Sequence, residues 1–348
     1  MIDIAAPLRL RLDSAALVAN WRWLARASGG AACGAAIKAD GYGLGARAVM
    51  HRLAAAGCRD FFVATWAEAA ALMPLPPGMA LSVLHGVGES DMVAARLLPA
   101  RPVLNSVAQA QRWRAGGEGR PCDVMVDTGM NRLGLRIEEA AAGALDGLAV
   151  DTLLSHLASA DEDGAQSERQ LAAFRAVRDR VPARRYSLAN SAGICLGEAY
   201  RFDLTRPGIA LYGGVPRPEA RGNITQVVFP EARVLQVRDV PAGESVGYGA
   251  SWTAPEDRRI ATVNLGYADG YLRCHAGHGA SHWQGRCLPL VGRVSMDLTA
   301  FDASGVDDLG EGDWLAIDYD LPAVSAASGL SQYELLTGLG RRFERCWQ

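Results

Sequence analysis

The chain contains a single lysine, Lys38, among 35 basic residues, and the other basic residues are all arginines. A GC-rich genome explains a general excess of arginine, but it does not explain why one lysine remains. Arginine replaces lysine well as a surface cation, whereas its guanidinium is too basic to become a neutral nucleophile. We therefore take Lys38 as a candidate for amine chemistry.

Lys38 follows an apolar segment and opens the glycine-rich sequence IKADGYGLGA. Partial removal of a lysine from water lowers its pKa and makes the neutral amine available for a Schiff base. The partner is either a carbonyl substrate, as in an aldolase, or pyridoxal phosphate. A phosphate-binding loop favours the second. Barrels often build such sites from backbone N–H groups after their last two strands, and two segments lie there: residues 190–193 (NSAG), which open a predicted short helix, and residues 207–209 (PGI).

Over residues 31–206, eight short apolar segments alternate with amphipathic segments. The elements that these segments form must position Lys38 and the two candidate phosphate-binding segments. The apolar segments predict strands at residues 31–37, 60–64, 80–85, 101–105, 122–126, 150–156, 184–189 and 201–205. This alternation predicts an N-terminal (β/α)8 TIM-like barrel, with an open doubly wound sheet as the alternative. Polar residues follow most of these strands, where barrel active sites collect: Lys38, His85, Asn105, Asp127, His156, Asn190, Ser191 and Arg206.

Three of the barrel helices have recognisable ends. One ends at Gly57, a residue suited to the left-handed conformation, and another begins after Ser106, which is a suitable N-cap. The longest is predicted at residues 167–181, before Pro182.

After about residue 220 the pattern changes to strand-like segments separated by Gly, Pro and Asp turns, without a long helix between them. Ser331 and Glu334 have the spacing of a capping box on a short closing helix over residues 331–343. We therefore predict two domains: residues 1–222 as the barrel and residues 223–348 as a mostly-β domain.

The composition narrows the classes of partner. The net charge is −3 and the pI near 6.1, so electrostatics favour neither nucleic acid nor an anionic membrane. No apolar run reaches the roughly 18 residues of a membrane span, and the N-terminal sequence does not resemble a signal peptide. Seven cysteines, odd in number and without a CxxC pair, predict reduced thiols in the cytoplasm and no metal site.

Taken together, these segments resemble bacterial alanine racemases, the pyridoxal-phosphate enzymes of fold type III. The resemblance runs through nearly the whole chain in order. It is carried by IKADGYGLG (37–45), VDTGMNRLG (126–134), SHLASAD (155–161), ANSAG (189–193), TRPGIALYG (205–213), VGYGASW (246–252), NLGYADGY (264–271) and VGRVSMD (291–297).

The resemblance implies two catalytic bases on opposite faces of the alanine α-carbon. Lys38 is similar to the lysine that carries pyridoxal 5'-phosphate covalently and serves as one base. Tyr248 is similar to the second base, which reaches the site from the partner subunit. The expected assembly is therefore a homodimer with shared active sites, and the expected role is supply of D-alanine for peptidoglycan.

The resemblance also implies the residues that bind cofactor and substrate. Arg206 is similar to the arginine at the pyridine nitrogen and His156 to the histidine against the ring, while Arg132 resembles the residue near the cofactor's phenolic oxygen and the substrate carboxylate. The expected phosphate-binding set is Tyr42, Asn190, Ser191, Gly208 and Ile209. The expected substrate contacts in the second domain are Met296 and Tyr267, with Arg273, Arg293 and Asp297 around them.

Two positions depart from the family pattern. Many members carry a carbamylated lysine where this chain has Met125, so Arg132 must be held in another way. The family often has a tyrosine at the phosphate where the alignment puts Arg341.

Three related classes of protein are alternatives to an alanine racemase. Fold-type III decarboxylases present an acidic residue to the pyridine nitrogen and a cysteine from the partner, whereas this chain offers Arg206 and Tyr248. A racemase for serine or for a broad set of amino acids stays open. Non-catalytic barrel proteins that bind the same cofactor lack a second domain, which makes them a distant alternative.

Overall fold

The computed structural model describes residues 5–348, which form two compact units. One unit comprises Leu17–Thr225. The other comprises Gln226–Gln348 together with the described residues before Leu17. None of the helices in residues 5–348 combines the length and the apolar character needed to cross a membrane.

The first unit contains a parallel sheet whose strands follow one another in sequence order. Its seven strands are Ala35–Ala36, Asp60–Val63, Ala80–Val83, Arg101–Leu104, Cys122–Met125, Val150–Leu154 and Arg185–Ser187. These strands are buried almost throughout, as expected for strands covered on both faces.

An eighth strand, Leu204–Thr205, closes the ring. It pairs in parallel with Ala32–Cys33, which directly precedes the first strand of the sheet. On its other side, the amide of Arg206 donates to the carbonyl oxygen of Ala189 at 2.9 Å. The predicted TIM-like barrel is therefore confirmed, and the open doubly wound sheet is excluded.

Helices follow most of the barrel strands. The α-helices are Ser14–Ala27, Ala46–Ala56, Trp66–Ala71, Met92–Leu97, Val107–Gly116, Ile137–Ala141, Ala165–Arg178 and Ser191–Cys195, and the 3-10 turns are Glu198–Tyr200, Ile209–Tyr212 and Pro218–Ala220. Two predicted ends are confirmed: Gly57 has a φ of 117°, and the Ser106 hydroxyl accepts the amide of Gln109. The longest predicted helix is present but ends at Arg178, four residues before Pro182.

Charged residues at the starts of the barrel strands form an ion-pair network centred on Asp151, in which the Asp151 side chain is 9% exposed and that of Arg184 is 63% exposed. The Asp151 carboxylate oxygens form ion pairs with guanidinium nitrogens of Arg101 at 2.6 Å, Arg184 at 2.5 Å and Arg185 at 3.1 Å. Burial acts to raise the pKa of Asp151, but the three guanidinium charges outweigh burial and lower it. The network therefore compensates a carboxylate that would otherwise be costly to bury.

The second unit is a β-domain, as predicted. Its eight-stranded sheet contains Leu8–Leu12, Val228–Val240, Arg258–Val263, Ala280–Trp283, Arg286–Val291, Thr299–Asp302, Trp314–Ile317 and Phe343–Trp347. A small hairpin pairs Ser245–Val246 with Trp252–Thr253, and two helices, Leu321–Ser328 and Gln332–Thr337, lie near the end of the chain. The capping box of Ser331 and Glu334 is confirmed, but its helix ends at Thr337 and the chain continues as a strand.

The predicted domain boundary assigns the strand Leu8–Leu12 to the barrel, whereas the structure pairs it within the second unit. It is antiparallel to Val228–Val240 and parallel to Phe343–Trp347. Its three leucines are buried, while Arg9 and Arg11 alternate with them and pair with Glu231. The alternation is that of a strand with one covered face, unlike the fully buried barrel strands.

Candidate active site

Lys38 lies directly after the first barrel strand, half-buried at the strand's C-terminal end. Burial lowers the pKa of its amine, the charge of Arg132 lowers it further, and the charge of Glu68 partly offsets both. This environment increases the fraction of neutral amine at neutral pH, which is the form able to bond to a carbonyl carbon.

The backbone after Lys38 makes an unusual left-handed turn. Residues Ala39, Asp40, Gly41 and Tyr42 all have φ between 52° and 63°, and only one of them is glycine. A left-handed conformation costs a non-glycine residue roughly 1–2 kcal/mol, so the surrounding structure must hold it. The turn carries the chain sharply away from the strand end, and it brings Tyr42 back toward the last barrel strand.

Tyr42, Gly208 and Ser191 form a compact cradle at the strand ends. A β-carbon on Gly208 would lie 2.2 Å from the Tyr42 hydroxyl oxygen, so only glycine fits there. The Ser191 hydroxyl accepts the amide of Gly208 at 2.9 Å and that of Ala210 at 3.4 Å. Hydroxyls and glycine backbone in such proximity are suited to a phosphate group.

Two neighbouring residues complete this loop region. Asn190 caps the helix Ser191–Cys195, because its Oδ1 accepts the amide of Gly193 at 2.8 Å. Ile209 is buried and begins the 3-10 turn Ile209–Tyr212. The structure thus brings all five residues of the expected phosphate-binding set to the ends of the first, seventh and eighth strands.

Arg206 is 7% exposed and held inside the barrel by neutral partners. One terminal nitrogen donates to the Ser155 carbonyl at 2.5 Å, and the other donates to the Ser187 hydroxyl. Burial lowers the pKa of Arg206 to about 10, so the guanidinium remains charged at neutral pH.

His156 is a neutral imidazole beside these cations. Burial, followed by the charges of Arg206, Arg132 and Lys38, lowers its pKa to about 3. These interactions show that the four residues lie in one electrostatic environment at the barrel's strand ends. The His156 backbone is fixed by Gln170, whose Nε2 donates to the His156 carbonyl at 2.9 Å.

Arg132 lies in the loop after the fifth strand and is exposed. It lines a cleft of about 550 Å³ together with Asp127, Asn131 and Arg136. Met125, at the departure from the family pattern, is buried at the end of the strand before this loop. Within residues 5–348, no side chain forms an ion pair with Arg132 in place of the missing carbamylated lysine.

The remaining expected residues lie in the second unit. Tyr248 sits in a 3-10 turn at the tip of the small hairpin and is 68% exposed. The Arg293 guanidinium lies beneath this turn, since a β-carbon on Gly249 would be 3.3 Å from its Nη1. Tyr248 is therefore presented outward on a braced turn.

Tyr267 and Met296 lie on two loops joined by backbone hydrogen bonds. The Tyr267 amide donates to the Ser295 carbonyl and the Ala268 amide to the Met296 carbonyl, both at 3.0 Å. The Arg273 guanidinium stacks over the Tyr267 ring at 5.4 Å. Met296 is half-exposed.

Arg342 braces the same two loops through ion pairs. It forms a bidentate pair with the buried Asp269 at 2.6 and 2.8 Å, and its third nitrogen meets Asp297 at 2.7 Å. Its neighbour Arg341 is exposed, and contact of Arg341 with a phosphate stays a prediction.

The sequence alone does not reveal the residues that support the site: Glu68, Ser155, Gln170, Ser187 and Arg342. Only Glu68 has a local signal, because it stands three residues after Thr65 as in a capping box. Among the described residues, no three His, Cys, Asp or Glu side chains are grouped as metal ligands.

Comparison with known proteins agrees with this arrangement. The family model of the alanine racemase N-terminal domain matches residues 12–216, and that of the C-terminal domain matches residues 227–347. The alanine racemase of Acidiphilium cryptum is 43% identical over 97% of both chains. The catabolic alanine racemase of Rhizobium johnstonii is 41% identical over 97% of this chain and 93% of its own.

A solved structure gives the same result. The alanine racemase of Bartonella henselae, with covalently bound pyridoxal phosphate, superimposes with a TM-score of 0.91 at 36% identity, covering 99% of this chain and 100% of its own. Both domain models and the full-length relatives agree, and the chain therefore belongs to the alanine racemase family.

Proposed function

We propose that this protein is a pyridoxal-phosphate-dependent alanine racemase that interconverts L-alanine and D-alanine. The observation that carries the proposal is the position of the chain's single lysine. Lys38 shares the strand-end environment of His156 and Arg206, and its loop meets the Gly208 cradle through Tyr42. Each feature alone is compatible with several kinds of chemistry, whereas their combination in a member of this family points to one.

The residues present fit pyridoxal 5'-phosphate. Tyr42, Asn190, Ser191, Gly208 and Ile209 would hold the phosphate. Their hydroxyl and backbone groups gather at neighbouring strand ends, where the lack of a side chain on Gly208 lets the Tyr42 hydroxyl approach its backbone. When bound, the cofactor supplies a conjugated ring that accepts the electrons left on the α-carbon after its proton departs.

Arg206 is proposed to face the pyridine nitrogen. Because its pKa stays near 10 despite burial, it donates a hydrogen bond without giving up its proton at neutral pH. His156, neutral with a pKa lowered to about 3, can pack against the ring without adding a positive charge. Because neither group would protonate the pyridine nitrogen, together they would limit how much negative charge the bound ring accepts and would restrict side reactions.

The proton transfers are assigned to Lys38 and Tyr248. Racemisation removes the α-proton on one face and returns a proton on the other, so it needs two bases that flank one carbon. The lowered pKa of Lys38 suits it to accept a proton near neutral pH. Tyr248 of the partner subunit is proposed as the base on the opposite face, which makes the functional unit a homodimer with two shared sites.

The substrate carboxylate is proposed to meet Arg132 and the backbone at Met296, with Tyr267 at the entrance. Support comes from the exposed Arg132 guanidinium in its cleft and from the hydrogen-bonded pair of loops that carries Met296 and Tyr267. In functional terms, the first unit would bind the cofactor and the second unit would contribute the second base.

We further propose a cytoplasmic enzyme that supplies D-alanine for peptidoglycan. All seven cysteines are free thiols, which supports a reducing compartment. The catabolic relative at 41% identity shows that similarity alone does not choose between the two physiological roles.

The function is tested by following the optical rotation of L-alanine, D-alanine and L-serine separately, with protein that has been dialysed and then supplied with pyridoxal phosphate. We expect equal endpoints from both alanine enantiomers and dependence on the cofactor. Faster turnover of L-serine would favour the broad-specificity alternative. Cofactor binding without racemisation of any amino acid would favour the non-catalytic binding protein.

A further inference from the structure

The carboxylate of Glu68 connects the turn after Lys38 to the next barrel strand. One oxygen accepts the amide of Ala39, the residue directly after the lysine, at 2.7 Å. The other accepts the amides of Ala64 and Thr65 at 2.6 and 3.2 Å, where the second strand ends. Three backbone donors from two neighbouring strand ends therefore converge on one side chain.

The Ala39 amide forms its hydrogen bond with a side chain from outside the turn. Within the turn, the amide of Gly41 donates to the Ile37 carbonyl and that of Gly43 to the Ala39 carbonyl. The Ala39 amide instead donates to Glu68. Since Ala39 has a φ of 52°, a conformation unfavourable for alanine, the carboxylate stabilises the strained residue adjacent to the lysine.

Glu68 also differs in charge from the other groups that act on the lysine. Arg132 is positive, and His156 lies in the same environment as a neutral ring. The side chain of Asp40, next but one to the lysine, accepts the amide of Ala46. Among the groups that influence the amine, Glu68 is the one that favours its protonated form.

We propose that Glu68 is a positioning residue for Lys38: its carboxylate anchors the left-handed turn that directs the lysine, and it places a negative charge at the amide of the adjacent residue. No feature of the sequence assigns this task, because a glutamate three residues after a threonine is fully explained as a capping box. The inference deepens the proposed function, since it concerns the lysine assigned to the chemistry.

The single lysine allows a test that does not need the reaction. The full-length protein is freed of cofactor with hydroxylamine and dialysis, then treated with trace acetic anhydride over a range of pH. Mass spectrometry follows acetylation of the peptide that contains Lys38. We expect Glu68→Gln to move the labelling curve to lower pH, with labelling at pH 7 increased about threefold or more.

Two variants provide matched controls. Glu334→Gln removes the same charge from a capping box of the same type in the second unit, and it should leave the Lys38 curve unchanged. Thr65→Ala removes the hydroxyl cap from the helix Trp66–Ala71 but keeps the Glu68 carboxylate. It should therefore leave the curve close to that of the parent protein.

Deuterium exchange gives a second readout, on the turn itself. In Glu68→Gln the peptide containing Ala39–Gly43 should exchange at least severalfold faster. If that variant does not fold, Glu68→Asp keeps the charge but shortens the reach, so exchange should accelerate while the labelling curve stays near the parental one.

An unchanged labelling curve in Glu68→Gln, or an equal shift in Thr65→Ala, would overturn the proposal, as would unchanged exchange in Glu68→Asp. Labelling uses neither cofactor nor substrate. Failure here would consequently leave the racemase assignment intact, and a protein without racemase activity could still show the dependence on Glu68.

Discussion

The hydroxyl of Tyr42 lies against the backbone of Gly208, at a distance that leaves no space for a side chain on that glycine. Tyr42 belongs to the turn after the first barrel strand, and Gly208 to the loop after the eighth. The contact therefore joins the loop of Lys38 to the loop proposed for the phosphate, across the point where the barrel closes. Because Tyr42 is itself part of the left-handed turn after the lysine, a change in that turn would move its hydroxyl relative to Gly208.

Replacement of Tyr248 by phenylalanine tests the two-base assignment. Loss of one base should reduce racemisation by about 10²–10⁴-fold. NMR in deuterated solvent, which follows exchange of the α-proton, should show that exchange survives from one alanine enantiomer and disappears from the other. Equal loss from both would contradict distinct roles for Lys38 and Tyr248. Tyr333→Phe, in the same unit, serves as the control and should leave both rates unchanged.

Mixing two inactive variants tests the shared site. Lys38→Ala and Tyr248→Phe protein, combined and allowed to exchange subunits, should form heterodimers in which one of the two sites has both bases. Activity should then return to a fraction of the parental value. No recovery, in a mixture whose subunit exchange is shown by native mass spectrometry, would argue against a base from the partner.

Replacement of Arg342 by glutamine tests whether its ion pairs position the substrate loops. Loss of the bidentate pair leaves the buried Asp269 without its cation and frees the loops of Tyr267 and Met296 to shift. We expect about a tenfold increase in KM for alanine with a smaller change in kcat. Arg238→Gln, at an exposed position in the same unit, is the matched control. A fall in kcat at constant KM would assign Arg342 to the chemistry instead.

His156 should make stability depend on pH. Its pKa is lowered to about 3 in the folded protein, below the ordinary value of 6.5. Between these values the unfolded chain binds the proton and the folded protein does not, so this contribution to stability is complete above pH 6.5 and is lost as the pH falls toward 3.

The check is the urea midpoint at pH 7 and at pH 4.5, measured in the same cofactor state. His156→Gln should lose less stability on acidification than the parent protein does, and His51→Gln, at an exposed position, should behave as the parent. An equal loss in parent and His156→Gln would show that His156 is protonated in the folded protein.

The arginine network at the strand starts should be a major source of barrel stability. Asp151→Asn keeps the shape of the side chain but removes the anion shared by Arg101, Arg184 and Arg185. Because Arg101 and Arg185 lose one of their two carboxylate partners and keep Asp123 and Asp60, we expect a loss of about 2 kcal/mol in the free energy of unfolding. Asp146→Asn, at an exposed position, should cost less than about 0.5 kcal/mol. A similar small effect of Asp151→Asn would mean that the arginines find water or other acceptors.

The barrel could be predicted from sequence because its strands are covered on both faces and read as continuous apolar runs. Leu8–Leu12 could not be assigned to the correct unit, because its partners, Val228–Val240 and Phe343–Trp347, are more than 200 residues away. The alternation of apolar and charged residues predicts a strand, but it does not indicate which sheet the strand joins. The last strand, Phe343–Trp347, could not be predicted because it has few apolar residues and follows a helix whose N-terminal cap is clear in the sequence.

Within the site, residues at strand ends could be proposed because a barrel gathers those ends in one place. The residues that hold these site residues by hydrogen bonds could not be proposed. Ser187 meets Arg206, and Gln170 meets the His156 backbone, only because of the sheet register and the packing of a helix 14 residues later in sequence. The left-handed conformation of Ala39 could not be predicted either, because alanine rarely adopts a positive φ.

The central claim is that Lys38 carries pyridoxal phosphate, and reduction with borohydride tests it most directly. The purified protein should be yellow, and after reduction a pyridoxyl group should appear on the peptide containing Lys38. The chain has no other lysine that could be confused with it. A colourless protein that pyridoxal phosphate does not restore, or one that contains the cofactor while Lys38 remains unmodified after reduction, would contradict the account.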